Sequence, residues 1–273
     1  MIELVATDID GTLLNSRGEV SPRNRAALDA AAGAGLLVAF VTGRPPRWLD
    51  DLIEATGHTG VAVGANGAVI WDMAREEMIS SHCLDPDDLR DLAQSLREAF
   101  PRVAFAIEFG LSFAAEPSYV HDWEISPRFD RRGVRIPPPR IGSLDEIVDQ
   151  PAVKLLVKDR TVDPDTFLAE ATKVIGERAT LTHSSSFGLL ELSAPGITKA
   201  TGLADLTRRL GVTAEQVAAI GDMPNDLPML EWAGTSYAVG NAHPEVKAAA
   251  DQVTVTNDED AVALLIESIL ATR

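Results

Sequence analysis

Short runs of consecutive apolar residues recur along the chain, each closed by glycine, proline or acidic residues. Leu4-Val5-Ala6, Leu36 to Val41, Val61-Ala62-Val63 and Val217 to Ile220 are such runs. A strand buried on both faces reads this way, whereas a half-exposed strand alternates. Between the runs lie stretches with helical signals. Ser21-Pro22 is an N-cap followed by proline in the first turn, and Gly33 and Gly35 suit the end of that helix. Pro45-Pro46 precedes a second predicted helix, Arg47 to Ala55. Asn66-Gly67 is a strong turn signal, followed by a hairpin-like piece from Ala68-Val69-Ile70-Trp71 to Glu77-Met78-Ile79. Wholly apolar strands alternating with helices predict a parallel α/β sheet.

The pattern changes near Cys83. Asp85-Pro86 opens an amphipathic helix to about Phe100. Mixed segments follow over Val103 to Phe109 and Leu111 to Ala115, then a polar aromatic stretch through Tyr119 and Trp123. Pro137-Pro138-Pro139 excludes regular helix and central strand there. Beyond it the pattern predicts a short helix (Ser143 to Val148), a strand (Ala152 to Val157), a helix (Pro164 to Ile175) and two strands (Ala179 to His183, Gly188 to Leu192). This middle third reads as α+β, inserted into the first fold. Pro195-Gly196 marks the return to alternating helices and strands, from a helix at Lys199 to Leu210 to a last helix at Asp260 to Leu270.

Composition narrows the function classes. The 273 residues carry 45% hydrophobic and 24% charged residues, enough for a full core and a second domain. The formal net charge of -17 disfavours nucleic-acid binding through a broad basic face. Cys83 is the single cysteine, so no intrachain disulfide framework exists. No apolar stretch approaches the ~20 residues needed to span a bilayer, and no signal-type segment opens the chain; a cytoplasmic location and no membrane partner are the expectations. Oligomeric state is not legible.

Polar clusters sit at or just after strand ends: Asp8 with Asp10, Thr42-Gly43-Arg44, Lys199, and Asp222 with Asn225 and Asp226. Residues two apart on an extended chain point the same way, so Asp8 and Asp10 are expected to project together beyond the first strand, where open parallel sheets place ligands. Paired carboxylates disfavour joint ionisation unless a cation offsets them, and magnesium favours carboxylate and carbonyl oxygens. The inventory holds no cysteine–histidine group for zinc and no P-loop or dinucleotide fingerprint. Phosphoryl transfer uses these residue types: a carboxylate nucleophile, a second carboxylate as general acid and base, and a hydroxyl, backbone N–H groups and a lysine around the phosphoryl oxygens. Taken singly, each has a plain structural role as turn, cap or solvated side chain; jointly they are poorly explained that way.

The stretches Asp8-Ile9-Asp10-Gly11-Thr12-Leu13, Val41-Thr42-Gly43-Arg44, Lys199 and Gly221-Asp222-Met223-Pro224-Asn225-Asp226 resemble the four ordered motifs of the haloacid dehalogenase superfamily. More narrowly they resemble its Cof-type phosphatases, as do Asn66-Gly67-Ala68 and Gly240-Asn241-Ala242. The resemblance implies a doubly wound, mostly parallel, Rossmann-like α/β core over residues 1–81 and 193–273, with an inserted α+β cap of the C2 type over 82–192 that selects the substrate. It implies Asp8 as nucleophile and Asp10 as general acid and base. It implies magnesium held by Asp8, the Asp10 backbone carbonyl and Asp222. Thr42, Gly43, Lys199 and Asn225 would bind phosphate, with Asp226 and Arg44 supporting them. The sequence departs from the subgroup at Ala200 and Ala261, where glycine is usual; neither position carries a reacting group.

The function expected is magnesium-dependent hydrolysis of a small phosphorylated metabolite, such as a sugar phosphate, through an aspartyl-phosphate. Two alternatives use similar residues: a sugar-phosphate mutase of the same superfamily, and a phospho-accepting or binding module without turnover. In the cap, His121, Trp123, His183, Ser184, Ser185, Ser186 and Glu191 are candidates to face substrate.

Overall fold

The computed structural model describes residues 1–119, the backbone of 128–129 and 135–136, and residues 138–183 and 188–273. His121, Trp123, Pro137, Ser184, Ser185 and Ser186 lie outside the described residues. The chain divides into two compact units, one of Met1–Arg44, Asp51–Ser80 and Thr198–Arg273, the other of Pro45–Asp50 and Ser81–Ile197.

The first unit is built on β1 (Leu4–Thr7), a strand buried at every position. The chain then turns through residues 9–13 into α1 (Pro22–Gly33), capped by the Ser21 hydroxyl accepting from the Asn24 N–H. β2 (Leu37–Val41) follows. The expected helix from Arg47 begins later: Pro46–Trp48 forms one 3-10 turn, and α2 runs over Asp50–Thr56. β3 (Val61–Gly64), β4 (Val69–Asp72) and β5 (Glu77–Ser81) follow in order.

After the inserted unit come α6 (Lys199–Leu210), β14 (Val217–Gly221), α7 (Leu227–Trp232), β15 (Thr235–Ala238), α8 (Pro244–Ala249), β16 (Gln252–Val253) and α9 (Ala261–Leu270). The strand order is β16-β15-β14-β1-β2-β3-β4-β5. All pairs from β16 to β3 are parallel, and β4 returns antiparallel to β3. β1 lies between β14 and β2, where the winding reverses; open α/β sheets bind ligands beyond the carboxyl ends of strands at such a point. Asn24 stitches one layer to this sheet edge: its side-chain NH2 donates to the Leu13 carbonyl and its Oδ1 accepts from the Ala263 N–H.

The second unit holds α3 (Pro86–Ala99), β6 (Ala104–Phe109), β7 (Ser112–Ala115), the short strands β8 (Arg128–Phe129), β9 (Arg135–Ile136) and β10 (Arg140–Ile141), α4 (Leu144–Ile147), β11 (Lys154–Lys158), α5 (Pro164–Ile175), β12 (Thr180–Thr182) and β13 (Leu189–Ser193). Its sheet has the order β10-β7-β6-β11-β13-β12. One core joins Leu89, Leu92 and Leu96 of α3 and Phe167 and Ile175 of α5 to Phe105, Ile107, Leu155, Val157, Leu190 and Leu192 of the sheet. Alternate positions, Ala104, Ala106, Ala115 and Leu156, gather with Tyr119 in a smaller cluster. Buried charges accompany them: Lys154 pairs with Glu191, and Arg47 with Glu108 at 2.9 Å. His183, also buried, meets Asp165 through Nε2 at 2.9 Å. Two of the candidates to face substrate, Glu191 and His183, therefore have partners within their own unit.

Candidate active site

Every residue of the four sequence clusters lies in the first unit. Three strand ends supply the floor: Asp8 follows β1, Thr42 follows β2 and Asp222 follows β14. Parallel pairing of these neighbours puts all three on one edge. The Asp8 N–H donates to the Ile220 carbonyl at 3.0 Å, continuing the ladder one residue past β1.

Asp8 and Asp10 flank Ile9, which is fully buried, but their carboxylates meet different partners. Asp8 is 5% exposed, and its Oδ1 accepts from the Lys199 ammonium at 2.6 Å. The Asp10 side chain is 58% exposed and held by the Arg44 fork, Nε to Oδ2 at 2.8 Å and Nη2 to Oδ1 at 2.5 Å. Two parallel charge-assisted bonds fix both position and plane of that carboxylate. Arg44 itself is anchored by its backbone N–H, which donates to the Thr42 hydroxyl at 3.0 Å.

Gly11 closes the turn at φ +78, a left-handed conformation, and a Cβ there would lie 2.3 Å from Asp222 Oδ2. Glycine is needed twice over, for the dihedral and for the space. The Thr12 hydroxyl then donates to Asp222 Oδ1 at 3.0 Å, and the Asn241 side-chain NH2 donates to the Gly11 carbonyl at 2.8 Å.

Lys199 opens α6 behind Thr198, whose hydroxyl caps the helix by accepting from the Thr201 N–H. Its ammonium is buried between two carboxylates, Asp8 and Asp226, the latter at 2.5 Å. Asp226 Oδ2 accepts from the N–H groups of Asp222 and Met223 at 2.9 and 3.0 Å. Both Asp226 oxygens are thus engaged by the protein. Asn225 donates through Nδ2 to Asn66 Oδ1 at 3.1 Å, and both amides are buried.

Burial raises the Asp8 pKa well above the usual carboxylate range; Lys199 opposes this, and Asp226, Asp222 and Asp10 add to it. Burial, then the Asp226 charge, push Asp222 up to about 7, against the Thr12 hydrogen bond. Burial alone would lower the Lys199 pKa, but Asp226 and Asp8 outweigh it and the net shift is upward. The lysine therefore stays charged while Asp8 and Asp222 resist charging.

A sequence profile of the haloacid dehalogenase-like hydrolases matches residues 5–266. The chain belongs to this family. It is 31% identical over 268 residues, 97% of this chain and 94% of the relative, to the 5-amino-6-(5-phospho-D-ribitylamino)uracil phosphatase YcsE of Bacillus subtilis (strain 168). It is 29% identical over 296 residues, 98% of this chain and 100% of the relative, to the phosphatase YwpJ of the same organism. A solved haloacid dehalogenase-like hydrolase from B. subtilis superposes with a TM-score of 0.81 at 28% identity, covering 97% of this chain and 99% of that one.

Members of the haloacid dehalogenase family typically use a metal ion, and the donor set here fits one. Among the described residues, Asp8, Asp222 and Asp226 form one group whose carboxylate oxygens lie within 4.8 Å of one another. Three carboxylates face a single ammonium, and the excess negative charge suits a hard divalent cation with oxygen ligands. Asp226 has no oxygen to spare, whereas Asp8 Oδ2 and Asp222 Oδ2 have no hydrogen bond among the described residues. Sequence reasoning gave Thr12 no role; the only signal was a hydroxyl two residues past the second acid of the turn. Among the described residues, no helix is long and apolar enough to cross a membrane.

Proposed function

We propose that this hydrolase is a magnesium-dependent phosphatase of small phosphomonoesters and works through an aspartyl-phosphate on Asp8. The observation that carries the reading is the Asp8 carboxylate, buried at the end of the central strand, tied to Lys199 through one oxygen and grouped with Asp222 and Asp226 within 4.8 Å. The Asp8 carboxylate is the nucleophile. Its attack forms an Asp8 Oδ–P bond as the P–O bond to the leaving alcohol breaks, and Asp10 gives the alcohol its proton. Asp10, now a carboxylate, takes a proton from water; the water oxygen bonds phosphorus and the Asp8–phosphate bond breaks. Both Asp10 oxygens accept from Arg44 here, which is the arrangement of the base; the acid form donates from one oxygen, so on that side the Arg44 contact opens.

Lys199, the Thr42 hydroxyl, the Gly43 N–H and the Asn225 amide stabilise the phosphoryl oxygens, with Asp226 fixing Lys199 and the Asp222 backbone. Magnesium would be held by Asp8, Asp222 and the Asp10 carbonyl, and supplies positive charge that offsets repulsion between nucleophile and phosphate. The inserted segment, residues 82–192, selects among phosphomonoesters. The relatives named as phosphatases, one for a phosphoribitylamino-uracil, support phosphorylated small metabolites as the substrate class.

The test is phosphate release from a panel of phosphorylated metabolites, with magnesium and with chelator. Metal-dependent release that disappears in Asp8→Asn is expected. Release that survives Asp8→Asn would remove the nucleophile from the account.

A further inference from the structure

Three consecutive residues between β3 and β4 are left-handed: Ala65 at φ 52, Asn66 at φ 57 and Gly67 at φ 101. For alanine this conformation costs about 1–2 kcal/mol, and such strain persists only where the surroundings over-determine it. The surroundings here are the candidate phosphate site. The N–H of Ala65 donates to the Arg44 carbonyl and the N–H of Asn66 to the Thr42 carbonyl, each at 3.0 Å. The two carbonyls flanking Gly43 are thereby held. Gly67 lies against the residue that caps α6, where a Cβ would sit 1.9 Å from the Thr198 carbonyl oxygen. Gly202, one turn into α6, faces the same spot, its own Cβ position falling 2.6 Å from Gly67 Cα. The Asn66 side chain takes the Asn225 amide.

The residues assigned above to phosphate, Thr42, Gly43, Lys199 and Asn225, are therefore tied to one strained turn, directly or through the neighbours Arg44 and Thr198. A second observation points to a ligand. Asn225 Oδ1 is buried and has no partner among the described residues. A buried amide oxygen left unpaired costs about 1–3 kcal/mol. Turning both amides over keeps the Asn66–Asn225 bond and leaves Asn225 Nδ2 as the open atom instead. A phosphoryl oxygen calls for a donor, so the reversed pair is the anion-binding form.

The geometry points to Asn66 as a positioning residue for phosphate: it holds the Thr42 carbonyl through its backbone N–H and presents the Asn225 amide through its side chain. This rests on the phosphatase reading for the ligand's identity, but its test reads phosphate binding directly. Asn66→Gly keeps the left-handed backbone and removes only the side chain. Titration of the folded, magnesium-loaded protein with inorganic phosphate should show affinity lower by about tenfold, the worth of one buried hydrogen bond to a charged group, with the magnesium-induced rise in Tm retained. The double variant Asn66→Gly/Asn225→Ala should bind no more weakly than Asn225→Ala alone, because Asn66 acts through Asn225. Wild-type affinity in Asn66→Gly, or losses that multiply in the double variant, would overturn the proposal. If Asn66→Gly does not fold, side-chain amide resonances of the wild type decide: both amides should shift on phosphate addition, and an unmoved pair rules the role out. Absence of turnover by the wild type would sink the phosphatase reading while leaving this binding result standing.

Discussion

Lys199→Met is the most informative single change at this site. The variant keeps an unbranched, apolar side chain of similar reach and removes the ammonium from between Asp8 and Asp226. At 2.6 Å and an effective dielectric near 20, each contact is worth about 6 kcal/mol of gross attraction. Burying the lysine and its two partners costs several kcal/mol per ion, so most of that gain is offset. Removing one member of a buried pair nevertheless costs about 3–5 kcal/mol, because uncompensated charge stays behind. For a unit of this size that is roughly a 10 °C fall in Tm. The deficit should depend on pH. The lysine's pKa is raised by folding, so its own contribution is complete below its unfolded value and constant across neutral pH. The acids left behind are what titrate: at pH 5 Asp222, which titrates near 7, relieves the repulsion by taking up a proton that it has largely lost at pH 8, and burial favours the protonated form of Asp8 as well. Thermal denaturation of metal-free wild type and variant at both pH values is the assay. A larger deficit at pH 8 than at pH 5, partly restored by magnesium, is expected. A deficit below about 1 kcal/mol, the range of exposed ion pairs, or one equal at both pH values, refutes the reasoning.

Metal-free wild type should itself lose stability as pH rises. Asp222 titrates near 7 in the folded protein against about 3.9 unfolded, so between those values the folded state binds more protons and stability falls with rising pH; magnesium should flatten the slope, as urea denaturation at fixed pH steps would show. Gly67→Ala should destabilise by about 3 kcal/mol or more, from a clash with the Thr198 carbonyl and a left-handed alanine, and a Tm within a degree or two of wild type would contradict the close approach. Asp10→Asn should lower kcat by about 10²–10⁴-fold while leaving inorganic phosphate affinity within a few-fold, checked by steady-state kinetics and titration.

The strand ends were readable in the sequence because burial on both faces leaves continuous apolar runs, and parallel neighbours must share an edge. That logic brings Asp8, Thr42 and Asp222 together without any knowledge of their contacts. Lys199, expected just after a strand, instead opens α6 behind its Thr198 cap, so only motif order pointed to it. Partner choice was not readable. Lys199 and Asp8 are 191 residues apart, and Asn225 and Asn66 are 159 apart. Nothing local says that Arg44 clasps Asp10 while Lys199 takes Asp8, since both cations and both acids sit at the same sheet edge. The affiliation of Pro45–Asp50 with the second unit was equally hidden; within it Arg47 meets Glu108, 61 residues on. In the second unit, buried charges such as Lys154 and Glu191 interrupt the apolar pattern of β11 and β13, so its segments read as mixed rather than as a clean sheet.

The central claim is that Asp8 becomes phosphorylated during turnover. The direct measurement is acid-quenched mass spectrometry of Asp10→Asn, mixed with magnesium and an aryl phosphate, because this variant loses the base that clears the intermediate. The account predicts one added phosphoryl group on the peptide containing Asp8, absent when Asp8→Asn is combined with it. Release of phosphate by active wild type with no phosphoryl group trapped on that peptide, or with the group on another residue, would contradict it.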